Sequence, residues 1–526
     1  MKKRFLVLSI VACIALVFSL SGNALALQVQ DGKQIVVIGG RQPAPDIDPS
    51  HKTDYSRRML QQALYDGLYK YVGSPVKLVP WLAERHEVSS DARVWTVHMV
   101  RNARFHNGDK VTAEAVKWSI IRPLKLSQGP SWMLSDVLDI NDIEIVDDYT
   151  LCFKLKYSYA PFLSVLPWFY IMNPKEVIAH EKDGDYGQAW LKDHEAGSGP
   201  YRMARWQHGV MYEMTAVPDY WKGWPNPNHP HAIVYKLIRE TSSMKIGLQK
   251  GQLDLAGGLS PDDLDVLEGY KGVRVTNDPG ITPLTIKMNT QKGYTKDINI
   301  RKAICHAVDY DSVLKVFNNK AILMDSPFPI GLKGHVATDA YRYDLDKARE
   351  YLKKSGYPNG GFELEYVYVQ GLDSEKKVGL LLIDNLAKLN IKVKMVPLTW
   401  PNMTARGSKV ESSPDMMAIF ATPKFNDSDA VAYQYHKNSW GRYYGTSFYT
   451  NEKVWELIDQ ARSISDWDQR QPIYKRIQDM VMEDAPEIFL VQMNRQFAMR
   501  DHLKGFQFCP LRLTNESDLY PLYIGK

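Results

Sequence analysis

The chain has 526 residues, with 65 Lys and Arg against 60 Asp and Glu, which gives a formal net charge of +5. The basic residues form no clustered stripe, so the composition gives no reason to expect nucleic-acid binding. A chain of this length is too large for one hydrophobic core, and two or three domains are expected.

The N-terminal segment has the three parts of a secretory signal. Residues 2–4 are basic, residues 5–20 are apolar, and residues 24–26 form a small-x-small cleavage site. We therefore expect a signal peptide over 1–26, export to the periplasm, and a mature chain that begins near Leu27. A membrane anchor is one alternative, but the apolar run is shorter than the roughly 20 residues that span a bilayer. Lipidation at Cys13 is a second alternative, although the apolar run continues past this residue, which favours a soluble exported protein.

Strand-like and helix-like segments alternate along the rest of the chain, which predicts a mixed α/β fold. The first predicted strand covers Gln34–Ile38. A second is predicted over Trp95–Met99, where apolar and polar residues alternate. Thr112 is in position to cap the helix that follows.

Further elements are predicted in the C-terminal half. Helices are expected over Asp344–Lys354, Lys376–Leu389 and Asp466–Met482, and the second of these leads into a strand over Ile391–Val396. No Gly/Ser-rich linker separates the chain into halves. This is consistent with domains that the chain enters and leaves more than once.

Cysteine use indicates little about function. Cys13 would leave with the signal peptide, and Cys152, Cys305 and Cys509 remain far apart in the sequence. Three cysteines form at most one disulfide, so we expect three buried thiols and stability from core packing.

Catalytic and metal-binding motifs were not found. His86 and His194 lack the second histidine of a zinc-binding helix, and Glu195 stands where a G-x-S-x-G motif requires glycine. No phosphate-binding loop of the G-x-x-x-x-G-K-[ST] type occurs. We therefore expect no enzymatic activity, no cofactor and no metal.

Short motifs, arranged in the right order, resemble the signature of one family. They are Asp48-Pro49; Tyr65-Asp66-Gly67-Leu68; Pro80-Trp81-Leu82-Ala83-Glu84; Arg101, Phe105-His106-Asn107-Gly108 and Thr112-Ala113-Glu114-x-Val116; Gly197-Ser198-Gly199-Pro200-Tyr201; Pro218-Asp219-Tyr220-Trp221; Asn289, Asp297 and Arg301-Lys302-Ala303; and Ala307-Val308-Asp309. The chain resembles family 5 of the bacterial extracellular solute-binding proteins, the dipeptide- and oligopeptide-binding components of ABC importers. Each motif is weak alone, but their common order over nearly the whole mature chain argues against chance.

The resemblance implies an α/β, two-lobed periplasmic-binding-protein fold of the three-domain cluster C type, with a ligand cleft between the lobes. Domain I would take residues 27–75, 196–284 and 491–526 in lobe 1. Domain II, inserted into lobe 1, would take 76–195, and domain III, forming lobe 2, would take 285–490. The lobes would close on the ligand about the strands that cross between domains I and III.

The same resemblance implies a function. The protein would capture a peptide-like or other small polar solute in the periplasm and deliver it, as a monomer, to the ABC permease subunits in the inner membrane. A non-peptide anionic, oligosaccharide or opine-like solute stays open as the ligand. A ligand-sensing role in place of transport also stays open.

Candidate ligand-binding residues carry over by position from this resemblance. They are Thr53, Asp54 and Tyr55, where peptide-binding relatives add the ligand as a strand; Trp132, in the loop after the domain II helix; Trp400, after the strand that ends near Pro397; and Thr422, Lys424, Asn426 and Asp427. A buried core role is the alternative for Trp400. Phe105 and His106 are expected to brace domain II and not to contact the ligand.

The stretch around Lys424 departs from the peptide-binding relatives. Counted from Asp415, those relatives place Trp where Ala421 stands, and where Lys424 stands they place an Asp that pairs with the peptide α-amino group. A lysine would repel an ammonium and favour a carboxylate, a phosphate or a hydroxyl-rich ligand. Two alternatives stay open: Lys424 points to solvent, or the alignment shifts by three residues and Asp427 is the anchor.

Overall fold

The computed structural model describes residues 29–30, 33–53, 57–511 and 517–525. The expected signal peptide, with Cys13, lies outside these residues, as do Asp54 and Tyr55. Within the described residues the fold is mixed α/β, and none of the helices is both long and apolar enough to cross a bilayer.

The strands of the described chain are mostly short, except for two long ones that run through the middle of the molecule. In chain order they are β1 (Val29–Gln30), β2 (Lys33–Gly40), β3 (Tyr69–Val72), β4 (Lys77–Pro80), β5 (Ala83–Val88), β6 (Val94–Met99), β7 (Leu138–Asp147), β8 (Thr150–Leu155), β9 (Tyr201–Gln207), β10 (Met211–Ala216), β11 (Ala232–Leu237), β12 (Leu255–Gly257), β13 (Val273–Met288), β14 (Ala321–Leu323), β15 (Phe362–Val369), β16 (Ile391–Leu398), β17 (Met416–Phe420), β18 (Glu487–Arg500), β19 (Leu503–Lys504) and β20 (Tyr523–Ile524).

The helices of the described chain lie between these strands. They are α1 (Arg58–Leu64), α2 (Ala113–Leu126), α3 (Phe162–Val165), α4 (Pro174–Ala179), α5 (Gln188–Leu191), α6 (Thr241–Gln249), α7 (Pro261–Glu268), α8 (Ile298–Ala307), α9 (Tyr310–Val316), α10 (Leu345–Lys354), α11 (Asp373–Ala387), α12 (Trp400–Arg406), α13 (Asp429–Ala432), α14 (Glu452–Arg462) and α15 (Trp467–Asp484). Short 3₁₀ segments cover Gly129–Met133, Leu166–Trp168, Tyr294–Lys296, Tyr433–Tyr435 and Lys437–Ser439.

One large sheet connects two lobes through β13 and β18. Its main path has the order β16-β15-β17-β13-β18-β12-β2-β11-β10-β9. The antiparallel pairing of β13 with β18 is irregular between Pro279 and Thr282. Before this point β13 lies beside the strands of lobe 1, and after it β13 pairs with β17. We define lobe 2 as residues 282–493 and lobe 1 as the remainder of the described chain.

The backbones of β13 and β18 approach closely at the crossing between the lobes. A Cβ placed on Gly280 would lie 2.3 Å from the carbonyl oxygen of Met493, so a larger residue would force the strands apart. The buried Gln492 side chain donates to the carbonyl oxygens of Gly280 (2.8 Å) and Ile330 (3.0 Å). This narrow two-strand crossing has the geometry expected of a hinge.

A separate four-stranded antiparallel sheet, with the order β5-β6-β8-β7, lies in lobe 1. Trp95, Val97 and Phe153 from its strands are buried and share a core with Phe105 and with Phe425, which comes from lobe 2. Full burial of each large apolar side chain contributes about 1.5–3 kcal/mol. The contribution of Phe425 means that lobe 2 packs directly against this unit.

The other main cores stay within one lobe. Val36, Ile38 and Tyr201 belong to the core of lobe 1, while Ile286 and Tyr366 belong to that of lobe 2. The described cysteines, Cys152, Cys305 and Cys509, are free thiols, as expected, although Cys152 is only partly buried. The domain bounds given from the resemblance stay a prediction.

Most elements expected from periodicity are confirmed, with shifts of a few residues. The expected strands over Gln34–Ile38 and Trp95–Met99 correspond to β2 and β6, and that over Ile391–Val396 corresponds to β16. The three expected C-terminal helices correspond to α10, α11 and α15, with aspartates at 344 and 466 as N-caps. The expectation for Thr112 is only half right, because it occupies the N-cap position of α2 but makes no side-chain capping hydrogen bond.

His106, from the signature stretch, joins two segments of lobe 1. Its backbone N–H donates to the carbonyl oxygen of Gly197 at 2.9 Å. Its ring nitrogens lie 2.8 Å from Glu195 Oε1 and 2.9 Å from the Gly199 carbonyl oxygen. Both neighbours are acceptors, so the ring satisfies both contacts only as an imidazolium. Burial opposes the charge, but the Glu195 carboxylate outweighs it and the pKa of His106 is raised.

Candidate functional site

The cavity between the lobes, with a volume of about 560 Å³, is the candidate functional site. Its size falls within the range of small-molecule sites, about 300–1,000 Å³. The lobe 1 lining consists of Thr53, Trp132, Met133, Asp136, Val137, Tyr157 and Tyr159. The lobe 2 lining consists of Trp400, Thr404, Thr422, Lys424, Phe425, Asp429, Ala430, Tyr433, Gln434, Arg442, Tyr443, Tyr444 and Arg462.

Five residues expected from the sequence lie around this one cavity. They are Thr53, Trp132, Trp400, Thr422 and Lys424. They come from four separate segments of the chain, and the fold brings those segments together. Of the other expected residues, Asp54 and Tyr55 fall outside the described chain, and Asn426 and Asp427 lie outside the cavity lining.

Large aromatic side chains supply much of the wall. Trp132 and Trp400, from opposite lobes, are 42% and 43% exposed, so the alternative of a buried core role for Trp400 is wrong. The rings of Trp400 and Tyr443 pack edge to face with centroids 5.4 Å apart. Burial, followed by the neighbouring Tyr444, raises the pKa of Tyr443 to about 12, so its hydroxyl stays neutral and can donate. Such side chains offer apolar area with a polar end.

The loop after β17 carries the lobe 2 candidates and is tied to the hinge strands. The hydroxyls of Thr422 and Thr282 lie 3.0 Å apart, and Arg495 donates to the Thr282 hydroxyl at 3.0 Å. Thr422 is therefore linked to β13 and, through it, to β18. We therefore expect a movement of β13 and β18 at the hinge to displace Thr422 in the cavity wall.

Lys424 is a partly buried residue of the cavity lining. Its carbonyl oxygen accepts a 2.7 Å hydrogen bond from Trp168 Nε1 of lobe 1. Its ammonium nitrogen lies 5.9 Å from the centroid of the Trp168 ring. Lys424 lines both the main cavity and the pocket that extends toward solvent, and its role as a ligand contact stays a prediction.

Asn426 and Asp427 are occupied by contacts within the protein. The Asn426 side chain donates to the Val76 carbonyl oxygen at 3.0 Å and accepts from the Lys333 N–H at 2.9 Å. The buried Asp427 carboxylate forms a two-point pair with Arg470 at 2.7 and 3.0 Å. These contacts hold the loop and leave Asp427 badly placed as a ligand anchor.

A buried ion pair closes one side of the cavity. Arg462 Nε lies 3.2 Å from Asp429 Oδ1, and the guanidinium lies 4.1 Å from the ring centroid of Tyr433. The ring of Tyr159, from lobe 1, lies 5.0 Å away on another side. In addition, the Ala160 N–H donates to the Arg462 carbonyl oxygen at 2.9 Å. Arg462 thus joins the lobes where they meet.

A second pocket, of about 470 Å³, extends the cleft toward solvent. It shares Thr53, Trp400, Lys424 and Tyr443 with the main cavity and adds His51, Lys52 and Gly129. The cleft therefore has room along its length beyond the main cavity.

Within the described residues, no group of three His, Cys, Asp or Glu side chains is placed to hold a metal ion.

Several lining residues were missed by the sequence reasoning. They are the tyrosines at 157, 159, 433, 443 and 444, together with Asp136, Asp429, Arg442 and Arg462. The local run Gly-Arg-Tyr-Tyr at 441–444 is a signal that could have been noticed. The pair Tyr157 and Tyr159 gives no such signal, because alternate apolar residues also describe a buried strand.

Comparisons with known proteins agree with this architecture. A family model described as "Bacterial extracellular solute-binding proteins, family 5 Middle" matches residues 77–442. The "Probable D,D-dipeptide-binding periplasmic protein DdpA" of Escherichia coli (strain K12) is 30% identical over 489 residues, which cover 91% of this chain and 92% of that protein. The "Glutathione-binding protein GsiB" of Pectobacterium atrosepticum is 26% identical over 483 residues, covering 90% of this chain and 91% of that protein.

A solved structure shows the same fold. It is the "ABC transporter-associated periplasmic binding protein DppA from Helicobacter pylori in complex with peptide STSA". The TM-score is 0.75 at 25% sequence identity, with 94% of this chain and 98% of that chain covered. The two-lobed fold expected from the sequence motifs is confirmed.

Proposed function

The chain belongs to family 5 of the bacterial extracellular solute-binding proteins, as its motifs predicted, and from this we propose that it captures a short peptide-like solute for import. It would be exported through its N-terminal signal and bind the solute in the periplasm as a monomer. It would then present the closed, loaded form to an ABC permease. Its work would be binding and release, without bond chemistry.

The observation that carries this proposal is a cavity lined from both lobes, which are joined by a two-strand crossing. A ligand in such a position contacts both walls only when the lobes are together, so it stabilises the closed state. Ligand binding thereby shifts the population toward the closed state, which a partner protein can recognise.

The chemistry of the walls supports a small ligand with an acidic group. Trp132, Trp400 and Tyr443 offer flat apolar contact, while Lys424 and Arg442 offer cationic donors for a carboxylate. We assign Thr53 and Thr422 as polar contacts. Asp54 and Tyr55 keep the strand-like role that the resemblance implies. We assign Asn426 and Asp427 the task of shaping the loop.

Calorimetric titration of the purified mature chain tests the proposal. The panel consists of L-alanyl-L-alanine, D-alanyl-D-alanine and glutathione, with maltose as an uncharged probe and citrate as an anion that lacks an amine. We expect saturable binding of at least one of the first three and none of maltose. Absence of binding across the whole panel would contradict the proposed ligand class.

Aromatic variants connect that binding to the cavity. Replacement of Trp400 by Leu removes a ring that lines the cavity and is expected to weaken the bound probe about tenfold, because aromatic contacts contribute about 0.5–1.5 kcal/mol beyond area burial. Tyr343→Leu is the matched control, since Tyr343 is equally exposed at 43% but lies outside the cavity. Equal losses in the two variants would place the ligand elsewhere.

A non-peptide anion is the second candidate ligand. The observation that favours it is Lys424, which stands in the cavity wall where the resemblance leads one to expect an aspartate for an α-amino group. Tight binding of citrate with no binding of the three amine-bearing probes would favour this candidate over a peptide.

A further inference from the structure

Apart from the Asp429–Arg462 pair, the charged side chains that line the main cavity differ in sign between the lobes, while the second pocket adds Lys52 from lobe 1. Among the described residues, lobe 1 contributes one charged side chain to the lining, the carboxylate of Asp136. Lobe 2 contributes Lys424 and Arg442, together with the Asp429–Arg462 pair. A ligand in the main cavity therefore meets one carboxylate on lobe 1 and, outside the Asp429–Arg462 pair, two cations on lobe 2.

The Asp429–Arg462 pair is committed to the protein. Its atoms approach to 3.2 Å, and the Tyr433 ring covers the guanidinium at 4.1 Å. The Arg462 side chain is 14% exposed and that of Asp429 only 3%. Separation of such a pair to bind a ligand would leave a buried charge uncompensated, which is strongly unfavourable.

Asp136 and Arg442 are placed differently. Both are exposed in the cavity wall, and in the described chain no ion pair within 4.0 Å joins Asp136 and Arg442 to each other or to any other charged group. Arg442 Nη1 donates to the Tyr444 hydroxyl at 3.1 Å, which uses one of five guanidinium N–H donors. The two charges line one cavity from opposite lobes. Burial opposes the charge on Arg442, but the contacts of Tyr444 and, after them, the Asp136 carboxylate are among the groups that raise the pKa of Arg442.

This placement suits a ligand that carries both signs of charge. An ammonium is stabilised beside a carboxylate, and a planar guanidinium binds an acidic group through two parallel hydrogen bonds. Closure of the lobes removes water from between the partners, which strengthens both interactions. A ligand with only one charged end satisfies one wall and leaves the other without a partner.

We propose that Asp136 and Arg442 form a two-ended charge clamp that selects an amphoteric ligand and sets its direction in the cleft. The ammonium lies against Asp136 of lobe 1, and the acidic group lies against Arg442 of lobe 2. The clamp rests on the proposed function, because it requires that the cavity be the solute site. In the peptide-binding relatives, the resemblance implies that an aspartate of lobe 2, at the position of Lys424, binds the ligand ammonium. The proposed ligand direction is the opposite one.

Derivatives of one probe test the clamp. The parent is D-alanyl-D-alanine or glutathione, whichever binds more tightly, and it is compared with its N-acetyl and its amidated forms. In the wild type, we expect loss of either charge to weaken binding by about 10- to 100-fold, the range for hydrogen bonds to charged groups. In D136N, the affinities for the parent and for the N-acetyl form should differ by less than about threefold. In R442Q, the affinities for the parent and for the amidated form should differ by less than about threefold.

Two exposed residues outside the cavity provide matched controls. Asp148→Asn and Arg476→Gln make the same chemical changes outside the cavity. They should leave unchanged the ratio of parent to N-acetyl affinity and the ratio of parent to amide affinity. If D136N and R442Q weaken all probes equally, the residues act only on lobe closure and the clamp is overturned. If the N-acetyl form binds the wild type as tightly as the parent does, the clamp is overturned while the solute-binding function stands. If no probe binds, the proposed function itself is contradicted, and the clamp with it.

Discussion

Lys424 lines the cavity at the position where the resemblance leads one to expect an aspartate. Its main chain is fixed by the hydrogen bond from Trp168, so the side chain has a defined starting point in the cavity wall. A cation held in this way increases affinity for an acidic group and opposes an ammonium. We therefore expect the charge at position 424 to affect which ligands the cleft binds.

The first prediction concerns this lysine. K424M keeps the approximate length of the side chain and removes the charge. We expect it to weaken binding of the tightest carboxylate-bearing probe by about 10- to 100-fold, because a hydrogen bond to a charged group contributes about 1.5–3 kcal/mol. Lys409→Met is the control, since Lys409 is exposed and lies outside the cavity. Calorimetry measures both variants. Unchanged affinity in K424M would show that the lysine takes no part in binding.

At the scale of elements, the signature stretch that identifies the family is a structural connector. Phe105 is buried in the core of the four-stranded sheet, and His106 reaches the segment 195–199. None of these residues lines the cavity. Sequence motifs of this kind report the fold, and we expect the ligand contacts elsewhere in the chain.

A second prediction follows from the raised pKa of His106. A raised folded-state pKa means that the imidazolium stabilises the fold fully below the unfolded value, near 6.5, and that this stabilisation is lost as pH rises through the folded pKa. H106Q should therefore lower the melting temperature more at pH 5.5 than at pH 9. Thermal unfolding at both pH values measures the difference. A loss that is larger at pH 9 would contradict a charged His106.

The loop after β17 links the elements on which closure depends. Thr422 connects it to the hinge strand through Thr282, Asn426 connects it to Val76 of lobe 1, and Asp427 anchors it to Arg470 on α15. The loop is therefore held at three points, and we expect it to move with the hinge strand. Its polar residues, which resemble ligand contacts in the sequence, are mainly used for this support.

For the whole molecule, the sequence predicted the architecture better than the site. The ordered motifs predicted the two-lobed fold, and periodicity placed α10, α11 and α15 within a few residues. Within the site, Trp132, Trp400 and Lys424 could be placed by position in the family. Asp427 could not be distinguished from a ligand anchor, because its partner Arg470 is 43 residues away and the sequence does not show that they meet.

Local sequence patterns could not identify the cavity tyrosines as wall residues for a similar reason. Tyr159 belongs to lobe 1 and Tyr433 to lobe 2, and the guanidinium of Arg462 lies close to both rings. Contacts of this range depend on the closed arrangement of the molecule. They can be identified only after the fold is known.

The central claim is that ligand binding in the interlobe cavity closes the molecule about the β13–β18 crossing. Small-angle X-ray scattering of the mature chain, with and without a saturating concentration of the probe that binds most tightly in calorimetry, tests it most directly. We predict that the radius of gyration falls when the probe is added, and that Trp400→Leu requires a higher probe concentration for the same fall. An unchanged radius of gyration, with binding demonstrated on the same sample, would contradict it.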